Sequence, residues 1–304
     1  MPASKVWFTD MRAKTESLPA KLRRLMKAAG FEQLDLDSKF VAVKMHFGEP
    51  GNLAYLRPNW AAAVCDYKER GGRPFLTDCN TLYVGGRKHG LEHLDSAYKN
   101  GFNPFQTGVH CIIADGIRGT DEAYIPVEGG EYVKEAKIGR ALADADIIIS
   151  LSHFKGHEQT GFGGALKNLG MGGGSRAGKM EMHSAGKPFV KQKKCIGCGA
   201  CARICAHGAP IIEGGKCTID QDRCVGCGRC IGVCPKDAVT PANDEAFEIL
   251  GCKIAEYAKA VCQGKPHFHI SLAVDISPDT DWNSQTEHAE KIGLGSRKYE
   301  LIRL

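Results

Sequence analysis

Eight of the fourteen cysteines in this 304-residue chain fall into two runs of identical spacing. Cys195, Cys198, Cys201 and Cys205 stand in CIGCGACARIC, and Cys224, Cys227, Cys230 and Cys234 in CVGCGRCIGVCP. Each run spells C-x2-C-x2-C-x3-C. Three cysteines at x2 intervals wrap three corners of one iron–sulfur cube, whereas the fourth comes too late for that corner and reaches the neighbouring cube. Crossed ligand sets for two [4Fe-4S] clusters follow: Cys195, Cys198, Cys201 and Cys234 on one, and Cys224, Cys227, Cys230 and Cys205 on the other. Structural zinc or disulfides are the alternatives. Zinc sites use two C-x2-4-C pairs, without a third and fourth cysteine at these spacings.

The intervening glycines, Gly197, Gly199, Gly226 and Gly228, suit close approach of backbone to cluster sulfur. Pro235 follows the last ligand of the second run, and Ala206 takes that place in the first. On these residues the segment 192–242 resembles the bacterial two-cluster ferredoxins.

The formal charge of +5 counts the cysteines as neutral. Eight thiolates and two oxidised cubes add about −4, which brings the expected holoprotein close to neutral. Basic residues are scattered apart from KQKK at 191–194, read as a solvated linker, so no nucleic-acid partner is expected. No stretch reaches the roughly 18 apolar residues of a membrane span. The start, MPASKVWFTDMRAK, lacks the apolar core of a secretory signal. A cytoplasmic protein without a membrane partner is the expectation, consistent with cysteines kept reduced or metal-bound. Cys65, Cys111, Cys252 and Cys262 read as small core residues.

Outside the cysteine runs, apolar β-rich stretches alternate with helical patterns. Strands are expected at 5–8, 40–45, 74–77, 111–114, 146–151 and 267–274, and helices near 17–29, 58–70, 86–99, 132–143 and 244–264. This alternation predicts an α/β fold with a mostly parallel sheet flanked by helices. The pattern resumes after the cysteines, so the ferredoxin-like module is expected as an insertion. The expected boundaries are an α/β domain at 1–191, the two-[4Fe-4S] module at 192–242, and an α/β return segment and tail at 243–304.

Ligands of open α/β sheets bind beyond the carboxyl ends of the strands. The segments there are HFGEPGN with His46, DCNT with Asp78 and Asn80, DGIRGTDE with Arg118, and SHFKGHEQTGFGG with His153, Lys155 and His157. The last continues into a glycine-rich stretch carrying Lys167 and His183, expected to line an anion-binding concavity; flexible connection is the alternative. GxxxxGK[ST] is absent from it. His89 and His93, four apart on a helix, read as a solvated face. His267 and His269 share one face of a strand and read as structural, since a metal would require a third ligand from elsewhere.

HFGEPGN, FLTDCNTLY, IIADGIRGTDE, LSHFKGHEQTGFGGALKNLGMG and the MHS junction resemble an uncharacterised iron–sulfur-centre family, a domain of unknown function with an embedded two-cluster ferredoxin. The resemblance covers nearly the whole chain and implies the fold and the clusters, but no settled reaction. Members continue further between DISPD and a HAEKIGLGSRKYEL-type tail, whereas here Thr280 runs almost directly into Trp282. More distantly, His157-x3-Gly161-Phe162-x-Gly164-x2-Lys167 resembles a region of the nickel-pincer lactate racemases. In that family the matching positions are an acid/base histidine, the cofactor-bearing lysine and, at His183, a nickel-ligand histidine. Gly163-Gly164 sits one place earlier against the lysine than that family's pair.

The reading is an iron–sulfur oxidoreductase of anaerobic metabolism, with low-potential electrons serving a substrate or cofactor at the carboxyl edge of the sheet. His157, Lys167 and His183 are its candidate catalytic residues. His46, Asp78, Asn80, Arg118, His153 and Lys155 are its candidate substrate-binding residues, with Arg118 and Lys155 holding negative groups. A small anionic substrate, an additional unidentified small-molecule cofactor and a redox partner protein are expected. The alternatives are a non-catalytic ferredoxin-type carrier, and a cofactor-dependent isomerase or hydride-transfer enzyme on a racemase-like scaffold. Oligomeric state is not legible.

Overall fold

In the computed structural model, the described residues are 4–67, 70–83, 85–157, 160–183, 187–241 and 247–276. Five strands make one parallel sheet: β1 (Phe40–Lys44), β2 (Arg73–Asp78), β3 (Cys111–Ile113), β6 (Ile147–His153) and β13 (His267–Leu272), in the order β13-β6-β1-β2-β3. The central strands are near-continuous apolar runs because both their faces are covered. On one face α1 (Leu18–Ala28) and α2 (Pro58–Cys65) pack Leu22, Met26, Trp60 and Val64 against Val41, Val43, Ile147 and Ile149. On the other, α6 (Ala165–Gly173) and α10 (Phe247–Cys262) pack Leu169, Ile254, Tyr257 and Val261 against Ala42 and Ile148. β13 enters the sheet beside β6 after the cysteine-rich segment.

Several sequence expectations are corrected. Residues 5–8 form no strand, and Val6 and Phe8 are exposed; alternation without a ladder partner leaves backbone groups unpaired and does not make a strand. No helix spans 132–143. β4 (Glu122–Pro126) and β5 (Glu135–Gly139) pair antiparallel, and α5 (Arg140–Asp144) follows. Ala136 and Ile138 alternate inward, burying one face of β5. The third helix, α3 (Gly90–Lys99), starts later than 86, its first turn capped by His89, which accepts from Glu92 N–H. A four-residue α4 (Pro104–Thr107) precedes β3.

The glycine-rich stretch is not a flexible connection. It folds as a hairpin of β7 (Lys155–His157) and β8 (Gly161–Gly163), then α6, then α7 (Arg176–His183). Its helical glycines mark close approach: a Cβ at Gly170 would overlap the Ile254 carbonyl, and one at Gly173 would lie 2.9 Å from Val261 Cγ2.

In the cysteine-rich segment β9 (Pro188–Val190) pairs antiparallel with β12 (Val239–Pro241), and β10 (Pro210–Glu213) with β11 (Lys216–Ile219). Each cysteine run leads into a short helix, α8 (Ala200–Ile204) and α9 (Arg229–Val233). Among the described residues no helix is long and apolar enough to cross a membrane. The expectations at the MHS junction past His183, at the start of the last helix before Phe247, and at the tail containing Trp282 fall outside the described residues, at least in part.

Candidate functional site

A cavity of about 290 Å³ opens at the carboxyl ends of β1, β2 and β6. His46, Asp78, His153, Lys155, His157, Lys167 and His183 all line it, brought together from four regions of the chain. Asn80 and Arg118 do not. Asn80 is fully buried, its side-chain amide donating to Asp115 Oδ1 (2.8 Å) and the Gly116 carbonyl (2.7 Å). Arg118 is exposed, and its carbonyl accepts from Arg176 Nη1 at 2.7 Å.

Sequence reasoning missed the charged floor of this cavity. Lys44, 1% exposed, ends the apolar run of β1 and reaches Asp78 Oδ1 at 2.9 Å and Asn168 Oδ1 at 2.9 Å. Asn168 returns hydrogen bonds to the Lys44 carbonyl and to Ser150 and Ser152. Arg87 donates to Glu49 Oε1 at 2.8 Å and lies 3.4 Å from Asp78 Oδ2, with the Tyr83 hydroxyl also bonded to its guanidinium. His93, expected on a solvated face, is buried against the Phe47 ring, its Nε2 3.7 Å from Asp78 Oδ2. A lysine closing an otherwise apolar strand was the one local signal available.

Burial pulls the Asp78 carboxyl upward, but Lys44, His93 and Arg87 more than offset it and hold it well below the usual carboxylate range. His46 is held well below the ordinary histidine value by burial and then by Arg87. Its Nδ1 accepts from Gly48 N–H at 2.8 Å, leaving Nε2 as the protonated nitrogen. His183 is lowered to about 4 by burial and by the Lys167 and Lys179 charges. At neutral pH it is therefore a neutral imidazole, able to accept a proton or to serve as a ligand.

Five cationic side chains, Lys44, Arg87, Lys155, Lys167 and Lys179, line the cavity against the carboxylate of Asp78 among the described residues. The N-terminus of α6 also faces it through Gly163 and Gly164, and helix N-termini favour anions. Leu56, Leu151, Met171, Leu250 and Ile254 supply apolar wall.

Two smaller cavities lie in the cysteine-rich segment. One is lined by Cys195, Cys198, Cys201 and Cys234, the other by Cys205, Cys224, Cys227 and Cys230. Gly197, Gly199, Gly226 and Gly228 all have positive φ, between 63° and 73°. Backbone N–H groups donate to cysteine sulfur, from Cys217 to Cys195 (3.3 Å) and from Ala238 to Cys234 (3.2 Å). Cys217, without ligand spacing in the sequence, is buried in the first cavity with its sulfur 3.5 Å from that of Cys201. Of the cysteines expected in the core, Cys65 is buried, Cys111 and Cys262 are half-buried, and Cys252 is exposed.

The large cavity and the cysteine-rich segment share a wall. Leu82 lines the cavity and packs in one apolar cluster with Met180, Cys195, Cys201, Cys230 and Ile231, while Thr240 and Pro241 line the cavity from β12. Lys88 donates to the Cys234 carbonyl at 3.0 Å and pairs with Asp237. Arg176, 1% exposed, lies against Gly228 and Gly232, and its Nε has no hydrogen-bond partner among the described residues.

No curated protein matches the chain. Among solved structures it is similar to a Thermotoga maritima protein, at 18% identity over 52% of this chain and 39% of that one, with a TM-score of 0.37. It is also similar to the lactate racemase apoprotein from Thermoanaerobacterium thermosaccharolyticum, at 11% identity over 72% of this chain and 49% of that one, with a TM-score of 0.38. The chain thus spans about two fifths and one half of the lengths of these two proteins. Residues 41–297 match the domain of unknown function DUF362, so the chain belongs to the DUF362 family.

Proposed function

We propose that this chain is an iron–sulfur oxidoreductase whose crossed cysteine sets hold two [4Fe-4S] clusters and whose large cavity binds a small anionic substrate or cofactor. The observation that carries the reading is the division of the eight cysteines between two cavities, three from one run and the fourth from the other in each. Positive-φ glycines and N–H donors to cysteine sulfur are the surroundings such a group needs. When bound, the clusters would supply single electrons at low potential. The shared wall at Leu82, Thr240 and Pro241 supports delivery to the large cavity.

The residues there divide by chemistry. Lys155, Lys167, Lys179 and the α6 N-terminus hold negative groups of the ligand. Lys44, Arg87 and Asp78 form a fixed, mutually compensated floor. Neutral His183 accepts a proton, and the neutral His46 donates a hydrogen bond through Nε2. Cys198, Ile196 and Val225 are exposed beside the cysteine sets and offer a surface to a redox partner protein.

The test is anaerobic turnover with reduced viologen as donor and small carboxylates and phosphate esters as acceptors. Lys167→Ala and His183→Gln, with iron content unchanged, are expected to slow turnover roughly 100-fold. Unchanged turnover in both would remove the cavity from catalysis and leave a ferredoxin-type carrier. The convergence of His157, Lys167 and His183 on one cavity also favours a cofactor-bearing lysine as a second reading. Intact mass decides it, since an adduct on Lys167 is then required.

A further inference from the structure

We propose a separate metal site, formed by Cys262, His267 and His269, that takes a borderline-soft divalent cation of the zinc class. Cys262 closes α10, and the turn through Gly264, with a φ of +74°, brings the chain directly into β13. Alternation along β13 sends Ile270 and Leu272 into the core and puts His267 and His269 together on the opposite, exposed face. Their ring nitrogens, His267 Nδ1 and His269 Nε2, lie 3.0 Å apart, and the Cys262 sulfur completes a group whose donor atoms all fall within 4.8 Å of one another. This thiol is the third ligand that the two histidines alone lacked.

The spacing suits one ion. Zinc bonds of about 2.0–2.1 Å to nitrogen and 2.3 Å to sulfur place tetrahedral donors roughly 3.3–3.6 Å apart, so small side-chain rotations complete the site. The donor set is one thiolate and two imidazoles without a carboxylate, which selects against magnesium and calcium. Binding forms one Zn–S and two Zn–N bonds and releases the Cys262 thiol proton to solvent, leaving the fourth position to water. The ion would tie the end of α10 to the start of edge strand β13. Both elements border the large cavity further along: α10 through Leu250 and Ile254, and the chain beyond β13 through the Val274 carbonyl, bonded to His153. The site is a clamp, distinct from the two cysteine runs.

The test uses anaerobically isolated protein with its clusters in place, given one equivalent of Zn2+, freed of excess metal and examined by zinc K-edge absorption. One sulfur near 2.3 Å and two nitrogens near 2.0–2.1 Å are expected. Zinc affinity should fall at least about 10-fold, the lower end of the range for disturbing a metal site, in His269→Gln and in Cys262→Ser, with iron content unchanged. His269 is exposed, so that variant decides the matter even if Cys262→Ser folds poorly. A shell of four sulfurs, no retained zinc, or undiminished affinity in His269→Gln would each overturn the site.

Discussion

The guanidinium of Arg176 occupies the space that a side chain at Gly232 would need: a Cβ there would overlap Nη1. Gly232 lies in α9 between Cys230 and Cys234, and Arg176 lies in α7, the helix that also brings Lys179 and His183 to the large cavity. Arg176 is thus one of the buried side chains that fit the cysteine-rich segment to the helix lining the cavity.

Gly232→Ala should displace α9 from Arg176 and disturb the cysteines on either side. On the proposed two-cluster ligation, iron content is expected to fall from about eight toward about four per chain, as one cluster is lost. Gly251→Ala, where a Cβ would meet nothing within 4 Å among the described residues, should leave it unchanged. Iron and acid-labile sulfide analysis checks both.

On the same proposed ligation, Arg176 should also tune one cluster. Its Nε is buried without a hydrogen-bond partner among the described residues, and its charge is felt by Cys227 and Cys230. A nearby cation favours the reduced, more negative state. Arg176→Met is thus expected to lower the reduction potential of the centre on Cys205, Cys224, Cys227 and Cys230 by on the order of 50 mV. An EPR-monitored redox titration should show the other centre moving much less.

The charged floor gives an ordering of stabilities. Asp78→Asn leaves Lys44 and Arg87 buried without their shared anion and should destabilise by about 3–5 kcal/mol. Lys44→Met should cost less, because Asp78 keeps Arg87. Urea midpoints measured at one pH test the order, and a larger loss in Lys44→Met would reverse it.

His183 makes stability depend on pH. Its folded value of about 4 lies below the ordinary 6.5, so between these limits the unfolded chain binds more protons and stability falls as the pH falls. His183→Gln should flatten the decline between pH 6.5 and 4 in denaturant titrations. A decline of unchanged steepness would show that other groups cause it.

What was legible in the sequence was largely local. β1, β2 and β6 were readable because parallel strands buried on both faces are continuous apolar runs, and α10 was readable as a long amphipathic helix. β5 was not, because its apolar residues fit a helical period as well as the alternation of Ala136 and Ile138. The helix α6 was hidden behind its glycines, whose reason is contact with Ile254 and Val261, far along the chain. Seven candidate pocket residues meet at one cavity because strand ends converge there, as the fold class implies. Lys44, Arg87 and Asn168 were missed because Lys44 and Asn168 pair with each other, and Arg87 with Glu49, across long stretches of sequence. Arg118 was misplaced because a polar residue beyond a strand can equally face solvent.

The most direct measurement is EPR and iron analysis of the anaerobically isolated, dithionite-reduced protein beside Cys205→Ser and Cys234→Ser. Crossed ligation is supported by about eight irons in the parent and by two reduced centres. It further requires Cys234→Ser to perturb the centre of the first three cysteines of the first run, and Cys205→Ser that of the second. Zinc in place of iron, or each substitution perturbing the centre of its own run, would contradict it.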